Sequence, residues 1–219
     1  MGGVGRAGRH AGGNEMIRLY DYLDSGNGYK IRLLLAQLER PYRHVELDIM
    51  RGETRTSEFL AINPNGRIPA LGLEDGRQLW ESDAILWYLA EGSAYLPTDA
   101  FLRAQVLQWM FFEQYSHEPY VATPRFILKH LPADTPRRAE LPHRQALGRD
   151  ALAVMERHLG GHRFFVGDYY GIADIALYAY THVAGEAGLE LEPYPAVVDW
   201  LARVASQPRH VRISDRPAA

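Results

Sequence analysis

The sequence predicts an α/β unit followed by an all-helical unit, and three observations carry that expectation. Short alternating or apolar runs of strand type are confined to the chain before residue 92. From Asp99 onward the apolar residues recur at helical spacing only. Between the two lies Gly92-Ser93-Ala94-Tyr95-Leu96-Pro97, which has the composition of a linker.

The elements follow in order. Ile17-Arg18-Leu19-Tyr20 alternates and reads as a first strand. Asp24-Ser25-Gly26-Asn27-Gly28 is a turn with helix-capping residues, and Ile31, Leu34, Leu35 and Leu38 then mark one face of a helix. Val45-Glu46-Leu47 is a second strand, so the short crossover implies parallel pairing. Ser57 to Ala61 forms a short helix closed by Asn63-Pro64. Residues 69–73 and 78–80 are strands joined by the hairpin turn Glu74-Asp75-Gly76-Arg77, and Ser82 caps a helix whose core face holds Ile85, Leu86 and Leu89. The order β-α-β, connecting helix, β-β-α is the thioredoxin-like arrangement. In the second unit Leu102, Val106, Trp109 and Phe112 or Glu113 share one face. Further helices are expected over 144–159, 172–187 and 195–206. The expected division is 1–15 as a disordered extension, 16–91 as the α/β domain, 92–98 as linker, 99–210 as the helical domain and 211–219 as tail.

Composition narrows the function. A net charge of −3 argues against a nucleic-acid or polyanion surface. Cysteine is absent, which removes disulfides, a Cys nucleophile and a Cys metal site, and fits a cytoplasmic protein. No apolar run approaches the roughly 18 residues of a membrane span. Residues 1–15 lack the apolar middle of a signal peptide, and Met16 has the look of the natural start. Within them GVGRAG is like a phosphate loop only on the surface, since no strand precedes it. The nine histidines show no close ligand spacing, so no metal site is expected.

The informative stretch is residues 63–85, NPNGRIPALGLEDGRQLWESDAI. Pro69 has no N–H and forces Ile68 extended, which leaves the Ile68 backbone free to pair with a peptide-like ligand. Ser82 stands at a helix N-terminus, where unpaired N–H groups and the macrodipole favour a carboxylate. Glu81 beside it can accept from an ammonium, so the pair matches an α-amino acid head group. A simpler alternative is that Glu81 and Ser82 only cap the helix.

Three segments resemble one family. NPNGRIP is similar to the Asn-Pro-x-Gly-x-Ile/Val-Pro segment of cytosolic glutathione transferases, WESDAI to their Glu-Ser-x-Ala-Ile segment, and FVGDYYGIADIALY to their helical-domain folding motif. The resemblance covers about residues 16 to 208. It implies a thioredoxin-like glutathione-binding domain, a helical C-terminal domain and a homodimer. It further implies a cis bond before Pro69, glutathione's cysteinyl backbone on Ile68, and the γ-glutamyl head on Glu81 and Ser82. For the glycine carboxylate it points to Arg67 and Arg55, because Thr54 and Gly66 stand where many relatives have His or Gln.

Glutathione reacts as a thiolate. A free thiol titrates near 8.5, and lowering that by two units takes about 2.7 kcal/mol of preferential anion stabilisation. A hydroxyl or amide donor near a helix N-terminus can supply much of this. Ser25 and Asn27 resemble the Ser/Thr-x-Asn turn of bacterial members, with Gly28 and Lys30 also in place, and are the favoured pair. Tyr20 and Tyr22 remain alternatives, an alignment slid by one residue would fall on Gly26, and both favoured residues could be caps alone.

The second substrate is expected between the units. Met110, Glu113 and His117 share a face at i, i+3, i+7, and Phe111, Tyr115 and Arg125 are further lining candidates. An apolar wall with a few polar groups suits a hydrophobic electrophile. The favoured activity is therefore conjugation; reduction of a disulfide or peroxide is the enzymatic alternative, and a non-catalytic binding or regulatory protein is the alternative from another class. Asp174 is read as structural, bonding back to a cap position that is Gly171 rather than Ser or Thr.

Overall fold

The computed structural model describes residues 16–217; the extension expected over residues 1–15 lies outside the described residues. Four strands form one mixed sheet in the order β2-β1-β3-β4. β1 (Arg18–Asp21) pairs parallel with β2 (Arg43–Glu46), with Leu19 opposite His44. It pairs antiparallel with β3 (Ala70–Gly72), with Leu19 opposite Leu71, and β4 (Gln78–Trp80) closes the hairpin on β3. Ile17, Leu19 and Leu71 have no exposed surface, so the sheet's centre is dry.

Helix α1 (Gly26–Gln37) makes the parallel crossover that β1 and β2 require. Its N-cap is Ser25, whose Oγ accepts from the Gly28 N–H at 3.3 Å. The residues read as a turn, Gly26 to Gly28, are thus the first helical turn. Gly28 is required by close approach: a Cβ there would lie 1.5 Å from Asp21 Oδ1. α1 packs on α3 (Ser82–Ala90) and on α7 (Ile172–Thr181) of the helical unit. Covered by both, α1 buries Leu33 as well as Ile31, Leu34 and Leu35 of the expected stripe, while Leu38 is its half-buried C-cap; it buries Lys30 and Arg32 too. A short helix α2 (Ser57–Leu60) precedes the Asn63-Pro64 turn.

The helical unit comprises α4 (Ala100–Phe112), α5 (Glu118–His130), α6 (Leu141–Leu159), α7 and α8 (Pro195–Ala205). α4 and α5 are joined by a π-helical turn, Glu113–His117. α5 is not evident in the sequence because Pro119 and Pro124 argue against a helix there. Pro119 sits in the first turn, where a missing N–H costs nothing, and Pro124 is accommodated inside the helix. α7 ends at Thr181 rather than near 187; the chain continues as a 3₁₀ turn, Ala184–Ala187, closed by Gly188 at φ 71°.

Asp174 is buried at the N-terminus of α7. It accepts from Gly171 N (3.1 Å), Phe165 N (3.2 Å) and Trp200 Nε1 (2.9 Å). Gly171 does more than lack a capping hydroxyl. A Cβ there would lie 2.9 Å from the Tyr95 carbonyl oxygen, which accepts from Ile172 N at 3.0 Å. The close backbone approach explains the glycine where a Ser or Thr was expected.

Candidate functional site

The Ile68–Pro69 peptide is cis. Asn63 holds the loop before it, donating from Nδ2 to the Arg67 carbonyl at 2.6 Å while its Oδ1 accepts from Asn65 N at 3.0 Å. At the other end of the β3–β4 hairpin, Glu81 has φ 70°, an uncommon value for a residue with a side chain. Glu81 is the N-cap of α3, and Ser82 is the first helical residue rather than the cap. The two segments wall a small cavity of about 80 Å³ lined by Asn63, Arg67, Ile68, Pro69, Glu81 and Ser82. Asn27 enters it from α1, and Gln114 and Glu118 close it from the helical unit.

A chain of polar contacts runs under this cavity. The Lys30 ammonium, with no exposed surface, donates to Ser82 Oγ (3.1 Å) and Asp83 Oδ1 (3.2 Å) and pairs with Glu113 Oε2 (2.9 Å). Ser82 Oγ donates to Asn27 Oδ1 at 3.5 Å, and Asn27 Nδ2 donates to Glu118 Oε1 at 3.2 Å. Burial works against the Lys30 charge, but Asp83 and Glu113 outweigh it and hold its pKa above the ordinary range. Burial pushes Glu113 up to about 8 against the pull of Lys30, and it pushes Glu118 up as well. Lys30 faces three carboxylates, and Arg67 at the cavity edge is a second cation that pulls the Glu118 pKa down without cancelling the effect of burial.

The turn before α1 is anchored to the helical unit. Arg125 donates to the Asp24 carbonyl and to Asp24 Oδ1, both at 2.7 Å, and to Glu186 Oε2 at 2.7 Å. Lys129 reaches the same two carboxylates at 2.8 Å. Tyr180 lies over Gly26, where a Cβ would fall 2.6 Å from its Cζ. Burial raises the Tyr180 pKa, partly opposed by its hydrogen bond with Ser25.

The structure brings Asn27, Arg67, Ile68, Pro69, Glu81 and Ser82 to one cavity. Other expected residues are placed elsewhere, and each has a physical reason. Ser25 is engaged as the cap of α1 and is not among the lining residues. Arg55 folds back on the turn, donating from Nη1 to the Asn65 carbonyl at 3.2 Å. Met110, Glu113 and His117, expected to look into a cleft, are all buried, with Glu113 at the junction of the two units against Lys30 of α1. His117 hydrogen-bonds Thr181 Oγ1 at 2.9 Å, and burial together with Lys30 lowers its pKa to about 3. Phe111 and Tyr115 face outward, 69% and 83% exposed. Arg125 is consumed by the anchor to Asp24. Tyr20 packs edge-on against Phe59 and Tyr22 lies tilted beside His130; neither lines the cavity.

Sequence reasoning gave no role at the site to Lys30, Gln114 or Glu118, and read Asn63 as a helix-closing turn within the NPNGRIP segment. Lys30 was visible as part of the turn pattern, but its burial follows from helices packing over α1. Gln114 and Glu118 depend on the π-helical turn, which has no sequence period of its own. A larger groove of about 910 Å³, edged by Arg40, Arg43 and Val211, gathers none of the residues expected at the site.

The arrangement can hold a peptide backbone at Ile68 and a carboxylate at Ser82 on the N-terminal turn of α3. Glu81 offers a carboxylate and Asn27 an amide at the N-terminal turn of α1 to the same cavity. Residues 15–91 match the family model for the glutathione S-transferase N-terminal domain, and residues 109–208 match that for the C-terminal domain. A glutathione S-transferase from Pseudomonas fluorescens Pf-5 superposes with TM-score 0.88 at 53% identity, covering 91% of this chain and 100% of that one. A glutathione transferase from Burkholderia graminis, solved with two glutathione molecules per subunit, does so with TM-score 0.81 at 31% identity, covering 93% of this chain and 89% of that one. The disulfide-bond oxidoreductase YfcG of Escherichia coli is 33% identical over 200 residues, 88% of this chain and 92% of that protein.

Proposed function

The chain belongs to the glutathione S-transferase family, and from that premise we propose that it binds glutathione in the cavity between Ile68, Ser82 and Asn27 and uses the thiolate to reduce disulfides. The observation that carries the choice of reaction is the polarity of the wall opposite Ser82, made by Gln114 and Glu118 with Asn27 and Arg67 nearby. Conjugation to a hydrophobic electrophile, favoured by the sequence, needs an apolar wall. The aromatic residues expected to form it, Phe111 and Tyr115, lie outside the cavity lining.

In the proposed reaction Asn27 and the N–H groups of α1 stabilise the glutathione thiolate. The thiolate attacks one sulfur of the disulfide, the S–S bond breaks, and the departing sulfur takes a proton. A second glutathione thiolate then attacks the glutathione sulfur of the mixed disulfide; that S–S bond breaks, glutathione disulfide forms, and the remaining substrate sulfur leaves as a thiolate that takes a proton. The likeness to YfcG, and to a transferase holding two glutathiones, supports a cleft that accepts a polar second thiol. The test compares turnover of hydroxyethyl disulfide with that of a chloronitrobenzene. Faster turnover of the disulfide is expected; turnover of the aromatic alone would restore conjugation. Glutathione binding without either activity would favour the non-catalytic alternative.

We further infer a homodimer. Leu107 and Phe111, one turn apart on α4, and Tyr115 beyond them leave apolar surface exposed, and a second copy would cover it. Sedimentation should give twice the chain mass, and Phe111→Glu should shift it toward the monomer. Among the described residues no helix is long and apolar enough to cross a membrane. A cytoplasmic location remains part of this proposal.

A further inference from the structure

We propose that Lys30 and Glu113 act as a pair beneath Ser82: Lys30 positions the ligand's α-carboxylate through the serine hydroxyl, and Glu113 takes up a proton when that carboxylate arrives. The inference rests on the reading that the cavity binds the γ-glutamyl head group of glutathione.

The geometry of Lys30 comes first. An ammonium has three N–H donors, and here they meet Ser82 Oγ, Asp83 Oδ1 and Glu113 Oε2 at 2.9–3.2 Å. Only Ser82 of these three lines the cavity. Because Ser82 Oγ accepts from Lys30, its own proton must point elsewhere. Its partner is Asn27 Oδ1 at 3.5 Å, a long contact that a carboxylate oxygen replaces at little loss. The ligand's carboxylate then shares Lys30, through one hydroxyl, with the protein's own acids.

The charges facing Lys30 come from three sides. Asp83 lies on α3, Glu113 on the π-helical turn and Glu118 on α5; Asn27, Gln114 and neutral His117 lie among them, and Arg67 at the cavity edge acts on Glu118. Adding a further carboxylate makes one of these acids too costly to keep ionised. Asp83 keeps 13% of its side chain exposed, and Glu118 accepts from Asn27 at the cavity wall. Glu113 is fully buried, and its Oε1 has no hydrogen-bond partner. That oxygen is the place for the proton. Lys30 stays charged, the proton comes from the buffer, and the ligand carboxylate takes over as the counter-ion. Burial already holds Glu113 at about 8, so this exchange falls in a measurable range.

The experiment is titration calorimetry of the full chain with S-methylglutathione, whose blocked thiol releases no proton of its own. Runs in two buffers of different ionisation enthalpy, at about pH 8.5, report protons exchanged on binding. Net uptake is expected in wild type. In Glu113→Gln it should fall to what the ligand's own α-amine takes up, since that group is partly neutral at this pH and binds as an ammonium; the same ligand without its γ-glutamyl α-carboxylate should show no more uptake in wild type than in Glu113→Gln. Lys30→Met should weaken S-methylglutathione by about tenfold or more and erase the difference between the two ligands. If Lys30→Met does not fold, Glu113→Gln and the ligand pair decide. Absence of uptake in wild type, or uptake as large in Glu113→Gln as in wild type, overturns the inference while leaving the glutathione site intact. Failure of folded wild type to bind S-methylglutathione overturns the reading of the cavity, and this inference with it.

Discussion

Asp174 and Glu113 are both shut away from water, and burial pushes both carboxyl groups up, to about 7 and about 8. Their surroundings differ. Asp174 receives three N–H donors from Gly171, Phe165 and Trp200 and faces no cation. It pins the start of α7 to the segment before it and to α8. Glu113 has the Lys30 ammonium and the Gln114 amide on one oxygen and nothing on the other. A buried carboxylate whose lone pairs are met by fixed donors is a structural joint. One that shares a cation with other acids and keeps an unmet oxygen can change protonation when its neighbourhood changes.

The largest expected effect is at Asp174. Asp174→Ala leaves three buried donors without an acceptor and should cost roughly 3–5 kcal/mol of stability, read by urea unfolding. Turnover per folded molecule should be unchanged. A variant as stable as wild type would remove the contrast with Glu113. Next, Gly171→Ala presses a methyl group against the Tyr95 carbonyl and should cost about 1–3 kcal/mol, again without effect on chemistry.

On the other side of the comparison, Asn27→Ala should raise the bound thiol's pKa by about one unit, or about 1.4 kcal/mol. Thiolate ultraviolet absorbance against pH reads this directly. Ser25→Ala should act mainly through the lost cap, at about 1 kcal/mol of stability, with a smaller shift of the thiol. A larger thiol shift for Ser25→Ala than for Asn27→Ala would reverse their roles.

The smallest effect at low pH belongs to Glu113→Gln. Glu113's folded-state pKa is raised from 4.5 to about 8, so the folded protein holds an extra proton across that window. Its contribution to stability is present at the acid end and declines as pH rises toward 8. Glutamine does not titrate, so the stability of wild type relative to the variant should fall across the window and level off above it. A constant difference would show that Glu113 is ionised throughout and belongs with ordinary paired acids.

Much of the cavity's α/β side was legible because it is local. Pro69, the Asn63-Pro64 turn and Glu81-Ser82 lie within about twenty residues of one another, and their roles follow from backbone constraints that proline and helix termini impose. Asn27 was legible for the same reason, as a residue at a helix start. The opposite wall was not. The stripe Met110, Glu113, His117 has regular spacing, yet the π-helical turn and packing against α7 carry it inside. Arg125 has the charge expected of a lining residue but is held by Asp24, about one hundred positions away in the chain. Pro119 and Pro124 concealed α5 because proline's penalty depends on position in a helix.

The sequence by itself determined the two-unit architecture, the β-α-β and β-β-α order, and the segment, residues 63–85, that supplies much of the cavity wall. These depend on periodicity, turn chemistry and the fixed geometry of proline, all properties of neighbouring residues. Only the tertiary structure decided that Lys30 lies dry beneath Ser82, that Glu113 meets it there, and that the far wall of the cavity is polar. Those facts arise where α1, α3 and the π-helical turn pack together. The energy of a buried charge is set by which distant groups surround it, and no spacing along the chain encodes that.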